Sequence, residues 1–213
     1  MKLYGYWRSS ASWRVRIALE LKGVAYTYVP VHLVAGEQRQ VDHRERNPMQ
    51  QVPVLEFEQA GALRRITQSL AILEYLDERY AEPPLLPSTA LERARVRELA
   101  ELVNSGIQPL HNSGVLAHVA ELAPGADRAV WCRHFIERGL TALEALGAAG
   151  AGAFLAGDRV TVADICLVPQ LYQARRFGVD LAPFATLRRV EASCKALPAF
   201  QRAHAERQPD AEP

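Results

Sequence analysis

The chain has 213 residues, 49% hydrophobic and 23% charged, with a formal net charge of +1 at pH 7. That length supports a substantial core in one large domain or two small ones, and interspersed charge of near-zero sum excludes the footprint of a nucleic-acid or membrane-surface binder. Arg8 interrupts any leader-like apolar start, no run has the length of a membrane span, and Cys132, Cys166 and Cys194 lack the spacing of a disulfide framework or zinc site, so a cytoplasmic protein without metal is expected.

Met1 to Tyr6 is short, apolar and aromatic, as a buried strand requires. Val15 and Leu19, with the stem of Lys22, then recur at helical spacing until Gly23 supplies a stop. Ala25 to Val31 alternates as a strand, which completes a βαβ unit with parallel strands. Gly36 to Arg46 is a loop passing into a short helix that ends before Asn47-Pro48. Gln50 to Phe57 and Leu63 to Thr67, separated by a loop containing Gly61, form a hairpin, and Leu70, Leu73, Leu76 and Tyr80 mark one face of the next helix. Three prolines at 83, 84 and 87 end this half, placing the boundaries at 1–80, a linker at 81–87, and 88–213. Beyond them the pattern is helical: 92–105, a stretch after Pro109, 127–146, a helix opened by Thr161 and Asp164 as a capping box and interrupted by Pro169, then 186–197 and 198–205.

Within this plan the run from Arg8 to Leu19 concentrates the chemistry. A helix opening there presents unpaired N–H groups and the positive end of its dipole, and Ser9 and Ser10 add hydroxyls, which together make a cradle for an anion. Serine before a helix is equally a plain N-cap, and the run alone leaves both readings open. Gln68-Ser69 repeats the arrangement at a second helix start.

Four segments together identify a resemblance: Arg8-Ser9-Ser10-Ala11-Ser12-Trp13-Arg14-Val15-Arg16-Ile17-Ala18-Leu19, Asn47-Pro48-Met49-Gln50-Gln51-Val52-Pro53-Val54-Leu55, Gln68-Ser69-Leu70-Ala71-Ile72-Leu73-Glu74-Tyr75-Leu76, and Val162-Ala163-Asp164-Ile165-Cys166-Leu167-Val168-Pro169-Gln170. Over nearly its whole length the chain resembles the zeta class of cytosolic glutathione transferases. The resemblance implies an α/β thioredoxin-like N-terminal domain followed by an all-α helical domain, a homodimer, glutathione as cofactor, and a cis peptide bond at Val52-Pro53. It implies a glutathione site built from Ser9, Ser10, Ala11, Gln38, Val52, Gln68, Ser69, Gln108, Asn112, Ser113 and Gly114. Ser9 and Ser10 would activate the thiol, while Arg8 and Arg176 would hold the carboxylates of a small dicarboxylate substrate.

The implied reaction is cis–trans isomerisation of maleylacetoacetate in aromatic amino-acid catabolism. Isomerisation of maleylpyruvate, glutathione transfer or α-haloacid dehalogenation, and glutathione binding without turnover are the alternatives. The class usually carries Cys where this chain has Ala11, which moves all sulfur chemistry onto the cofactor.

Overall fold

The computed structural model describes residues 1–212, which divide into two compact units. The first comprises Met1–Pro84 together with the chain from Leu197 onward, and the second comprises Leu85–Ala196.

The first unit is built on a four-stranded sheet of β1 (Lys2–Gly5), β2 (Thr27–Pro30), β3 (Val54–Gln59) and β4 (Ala62–Thr67), in the order β2-β1-β3-β4. β1 is parallel to β2 and antiparallel to β3, which is antiparallel to β4. Helices α1 (Ser10–Lys22) and α2 (Val41–Arg46), the latter preceded by a 3-10 turn at Glu37–Arg39, join strands of the sheet, and α3 (Ser69–Arg79) follows β4. Leu3, Ile17, Leu19, Leu55, Ile72, Leu73 and Leu76 are wholly buried and form its core. Gly23 ends α1 in the left-handed conformation (φ 63°), where glycine carries no Cβ penalty. The Lys22 ammonium next to that end is buried, and donates to Asp77 Oδ1 at 2.7 Å and to the carbonyls of Tyr80 and Pro83 at 2.6 Å. The last turn of α1 is thereby tied to the end of α3.

The second unit is helical: α4 (Ala90–Asn104), α5 (Ser113–Leu122), α6 (Arg128–Ala148), α7 (Val162–Arg176) and α8 (Ala185–Lys195). α7 is its central element, with twelve of its residues buried, and it runs through Pro169 as one helix. Its start is the expected capping box. The Asp164 carboxylate accepts from Thr161 N–H (2.8 Å), Thr161 O–H (2.9 Å) and Leu155 N–H (2.7 Å), which fixes both the helix entry and the preceding loop.

The structure divides the chain differently from the proline-based boundaries. Residues 197–213, expected in the helical half, belong with the first unit as far as they are described. Their α9 (Pro198–Arg202) packs on α1, where Arg202 Nε meets Glu20 Oε2 at 2.6 Å and His204 stands edge-on to Trp13 at 4.9 Å. A proline run reports where a helix stops; it carries no information about a later return of the chain. The helix expected over 198–205 is correspondingly shorter and is followed by a 3-10 turn at Ala205–Arg207, while the stretch after Pro109 begins as a 3-10 turn at Gln108–His111.

Candidate active site

Sheet register brings the expected glutathione-site residues of the first unit to one edge. Val54 pairs with Tyr4 on one side and Thr67 on the other, and Gly5 pairs with Pro30. The loop leaving β1 with Arg8 and Ser9, the approach to β3 with Val52, the end of β4 with Gln68 and Ser69, and the loop after β2 with Gln38 therefore share one end of the sheet. This is where a parallel βαβ unit presents its helix N-termini.

At α1, Ser9 is the N-cap: its Oγ accepts from Ser12 N–H at 3.2 Å, and its carbonyl accepts from Trp13 N–H at 2.9 Å. The bland role is thus present, but it uses only a lone pair of the hydroxyl and leaves its proton available. Ser10 is the first helical residue and is 5% exposed, whereas Ser9 and Ala11 are half-buried. The N–H groups of Ser10 and Ala11 meet no acceptor among the described residues. They point along the dipole axis, as an anion site requires.

At α3, the N–H groups of Ser69 and Leu70 likewise meet no acceptor among the described residues. Gln68 before them takes φ 69°, a left-handed value that costs a non-glycine residue about 1–2 kcal/mol and is held only where the surroundings impose it. Ser69 Oγ accepts from Nη1 of the wholly buried Arg14 at 3.1 Å, so α1 supplies a cation beneath this second helix start.

Val52 precedes Pro53 through a cis peptide bond, and its N–H and carbonyl make no hydrogen bond among the described residues. A backbone edge is thus presented where a peptide-like ligand can pair. The peptide before it is anchored: the Gln51 carbonyl accepts from Asn47 Nδ2 at 2.8 Å and lies 2.9 Å from His43 Nε2. Gln38 is 8% exposed, and its Oε1 is buried without a partner. A buried acceptor of this kind costs about 1–3 kcal/mol unless a ligand or water satisfies it.

In the second unit the expected residues divide. Asn112 caps α5, its Oδ1 accepting from Gly114 N–H at 3.1 Å; Ser113 and Gly114 are exposed in the first turn, and Gln108 is half-buried at the start of its 3-10 turn. A Cβ at Gly114 would approach only Asn112 Oδ1, at 3.8 Å. Of the basic pair ending α7, Arg175 is committed to Glu191, which also takes Lys195 at 2.9 Å. Arg176 is exposed, lies over the Phe177 ring at 5.2 Å and donates to Gln173 Oε1 at 3.3 Å. His111, which the sequence did not single out, meets the same ring at 5.8 Å and sits 3.1 Å from Oε1 of the wholly buried Gln170.

Arg8 is half-buried over the Trp7 ring, 5.0 Å from its centroid. All three cysteines are buried, and burial pushes the Cys132 and Cys194 thiols up, away from the reactive thiolate. Among the described residues no group of three or more His, Cys, Asp or Glu could hold a metal ion, and no helix is long and apolar enough to cross a membrane.

Residues 1–78 match the family described as Glutathione S-transferase, N-terminal domain, and residues 133–205 match Glutathione S-transferase, C-terminal domain. Maleylacetoacetate isomerase of Rhizobium meliloti is 49% identical, the match covering 96% of each chain. A solved maleylacetoacetate isomerase from Anaeromyxobacter dehalogenans, with bound GSH in its active site, is 57% identical with a TM-score of 0.92, covering 99% of this chain and 97% of that one; it is also known with bound dicarboxyethyl glutathione and citrate. A bacterial maleyl pyruvate isomerase described as a glutathione S-transferase in the zeta class is 45% identical, with a TM-score of 0.94 and full coverage of both chains. The chain belongs to the zeta-class glutathione transferases. Zeta-class membership accounts for the pairing of a four-stranded sheet with a helical unit.

Proposed function

We propose that this chain is a glutathione-dependent cis–trans isomerase acting on maleylacetoacetate in the cytoplasm, as a homodimer. The observation that carries the reading is the start of α1, where a capping serine keeps a free hydroxyl proton beside two unengaged N–H groups. When bound, glutathione supplies a thiolate that adds reversibly to the substrate's double bond, so that rotation takes place about a single bond.

This chain's own residues hold and tune. Ser9 O–H, with the dipole of α1, stabilises negative charge at the sulfur position and lowers the thiol pKa. Ser10 and Ala11 contribute their N–H groups, Val52 its backbone edge, and Ser69, backed by Arg14, receives the γ-glutamyl carboxylate with Gln68 beside it. Gln38, Gln108, Asn112, Ser113 and Gly114 complete the proposed contacts with the cofactor. Arg8 and Arg176 take the carboxylates of the substrate, for which the planar guanidinium fork is suited. The dicarboxyethyl glutathione bound by the Anaeromyxobacter enzyme supports this division of labour, because that ligand joins glutathione to a two-carbon unit bearing two carboxylates.

Maleylpyruvate is the second reading, favoured by the likeness to the maleyl pyruvate isomerase. Assay of both cis acids, with and without glutathione, decides between them. The expected result is glutathione-dependent conversion with the higher kcat/KM for maleylacetoacetate; conversion that persists without glutathione would overturn the reading.

A further inference from the structure

Trp7 stands between β1 and the site residues Arg8 and Ser9, and both of its backbone groups are held by distant parts of the first unit. Its N–H donates to Asp210 Oδ2 at 3.0 Å, 203 positions along the chain. Its carbonyl accepts from Arg16 Nη2 at 2.8 Å. The wholly buried Arg16 also donates to the carbonyls of Ala203 (3.2 Å, Nε) and Tyr6 (3.4 Å, Nη1), and lies over the Tyr28 ring at 5.7 Å. Tyr28 closes the circuit, its O–H donating to the same Asp210 Oδ2 at 3.2 Å. Arg16 and Asp210 attract each other across this cluster, which offsets part of the desolvation that pulls the Arg16 guanidinium down from its ordinary value.

Such an arrangement exceeds what anchoring a terminal segment requires. Arg202 with Glu20 and His204 with Trp13 already attach that segment to α1. The Asp210 bond instead falls on the Trp7 N–H, two residues before the N-cap, where Trp7 is 4% exposed. Trp7 N–H and C=O belong to the two peptide planes on either side of its Cα, so Asp210 holds the plane before Trp7 and Arg16 the plane after it, and together they set the direction in which Arg8 and Ser9 leave the strand.

We propose that Asp210, acting with Arg16 through the Trp7 peptide, is a positioning residue for the thiol site: the carboxylate returning from the far end of the chain aims the Ser9 hydroxyl. This rests on the proposed role of Ser9 in the isomerase reading. Misplacement of a catalytic group by a fraction of an ångström to 1 Å costs about ten- to a hundredfold in rate, without weakening contacts made elsewhere on the ligand.

The test compares D210A, D210N and R202A in the full chain. D210A is expected to lower kcat about tenfold, to raise the pKa of bound glutathione read from thiolate absorbance, and to change KM for glutathione less than about threefold. D210N, which keeps one acceptor oxygen for Trp7 N–H, recovers most of kcat. R202A loosens the same segment away from Trp7 and leaves kcat and the thiol pKa at the wild-type values. Amide hydrogen exchange at Trp7 and Ser9 speeds up in D210A but not in R202A, a readout that stands even if the wild type isomerises neither acid, which would sink the functional reading alone. If D210A fails to fold, D210N carries the comparison with a smaller loss in the same direction. Wild-type kcat, thiol pKa and exchange in the Asp210 variants, or equal losses in R202A, would overturn the proposal.

Discussion

Ser9 meets two demands with one hydroxyl: its oxygen accepts from Ser12 N–H, and its proton stays available for a sulfur anion. Ser10, buried in the first helical position, has a hydroxyl that is less accessible. The two serines therefore separate on mutation. Ser9→Ala should lose about 1 kcal/mol of stability from the cap, and about ten- to a hundredfold in kcat from a hydrogen bond to a charged group worth about 1.5–3 kcal/mol. Ser9→Thr, which keeps both functions, should retain most of each, and Ser10→Ala should stay within about threefold of wild type in kcat. Thermal denaturation beside steady-state kinetics checks the pair, and equal, negligible losses in kcat at both positions would return the serines to backbone satisfaction alone.

At the scale of elements, α1 and α7 show what a sequence discloses and what it withholds. The capping box of α7 was legible because its partners lie three residues apart, and the structure adds Thr161 O–H and Leu155 N–H as further donors to the same carboxylate. Asp164→Ala would strand the buried N–H groups of Thr161 and Leu155, at an expected cost of about 3 kcal/mol in urea denaturation, while Asp164→Asn should cost about half as much. In α1, Val15 and Leu19 announced a core-facing stripe, but nothing local marks Arg14 and Arg16 as buried. They are wholly buried because their partners Ser69 and Ala203 come from 55 and 187 positions away. No local pattern encodes such pairs, and the same distance hid Asp210, which sits in a stretch that composition marks only as a polar tail. Gln38 and Val52 were named through family resemblance; the orphaned oxygen and the unpaired edge that suit them to a ligand emerged only from the fold.

At the scale of the whole molecule, the order βαβ, hairpin, helix and then a helical half was readable from periodicity and prolines, but the return of residues after Leu197 to the first unit was not. That return also sets a pH response. His32 Nε2 lies 2.8 Å from Glu212 Oε1, and this hydrogen bond, with the nearby charge of Glu37, raises the His32 pKa above its ordinary value of about 6.5. Because the folded value is the higher one, the pair's contribution to stability is complete below the unfolded pKa and is lost as pH rises through the folded pKa. An NMR titration should find the His32 midpoint above 6.5 in the wild type and lower in Glu212→Gln.

On the proposed function the chain uses glutathione as a returning catalyst, position 11 being Ala in place of the cysteine usual in the class. The measurement that tests it most directly is turnover of maleylacetoacetate with glutathione supplied at a small fraction of the substrate concentration, total free glutathione being assayed before and after. Complete conversion to the trans acid with glutathione recovered in full is the expected result; conversion that halts once the glutathione present has been consumed would rule out a returning thiol.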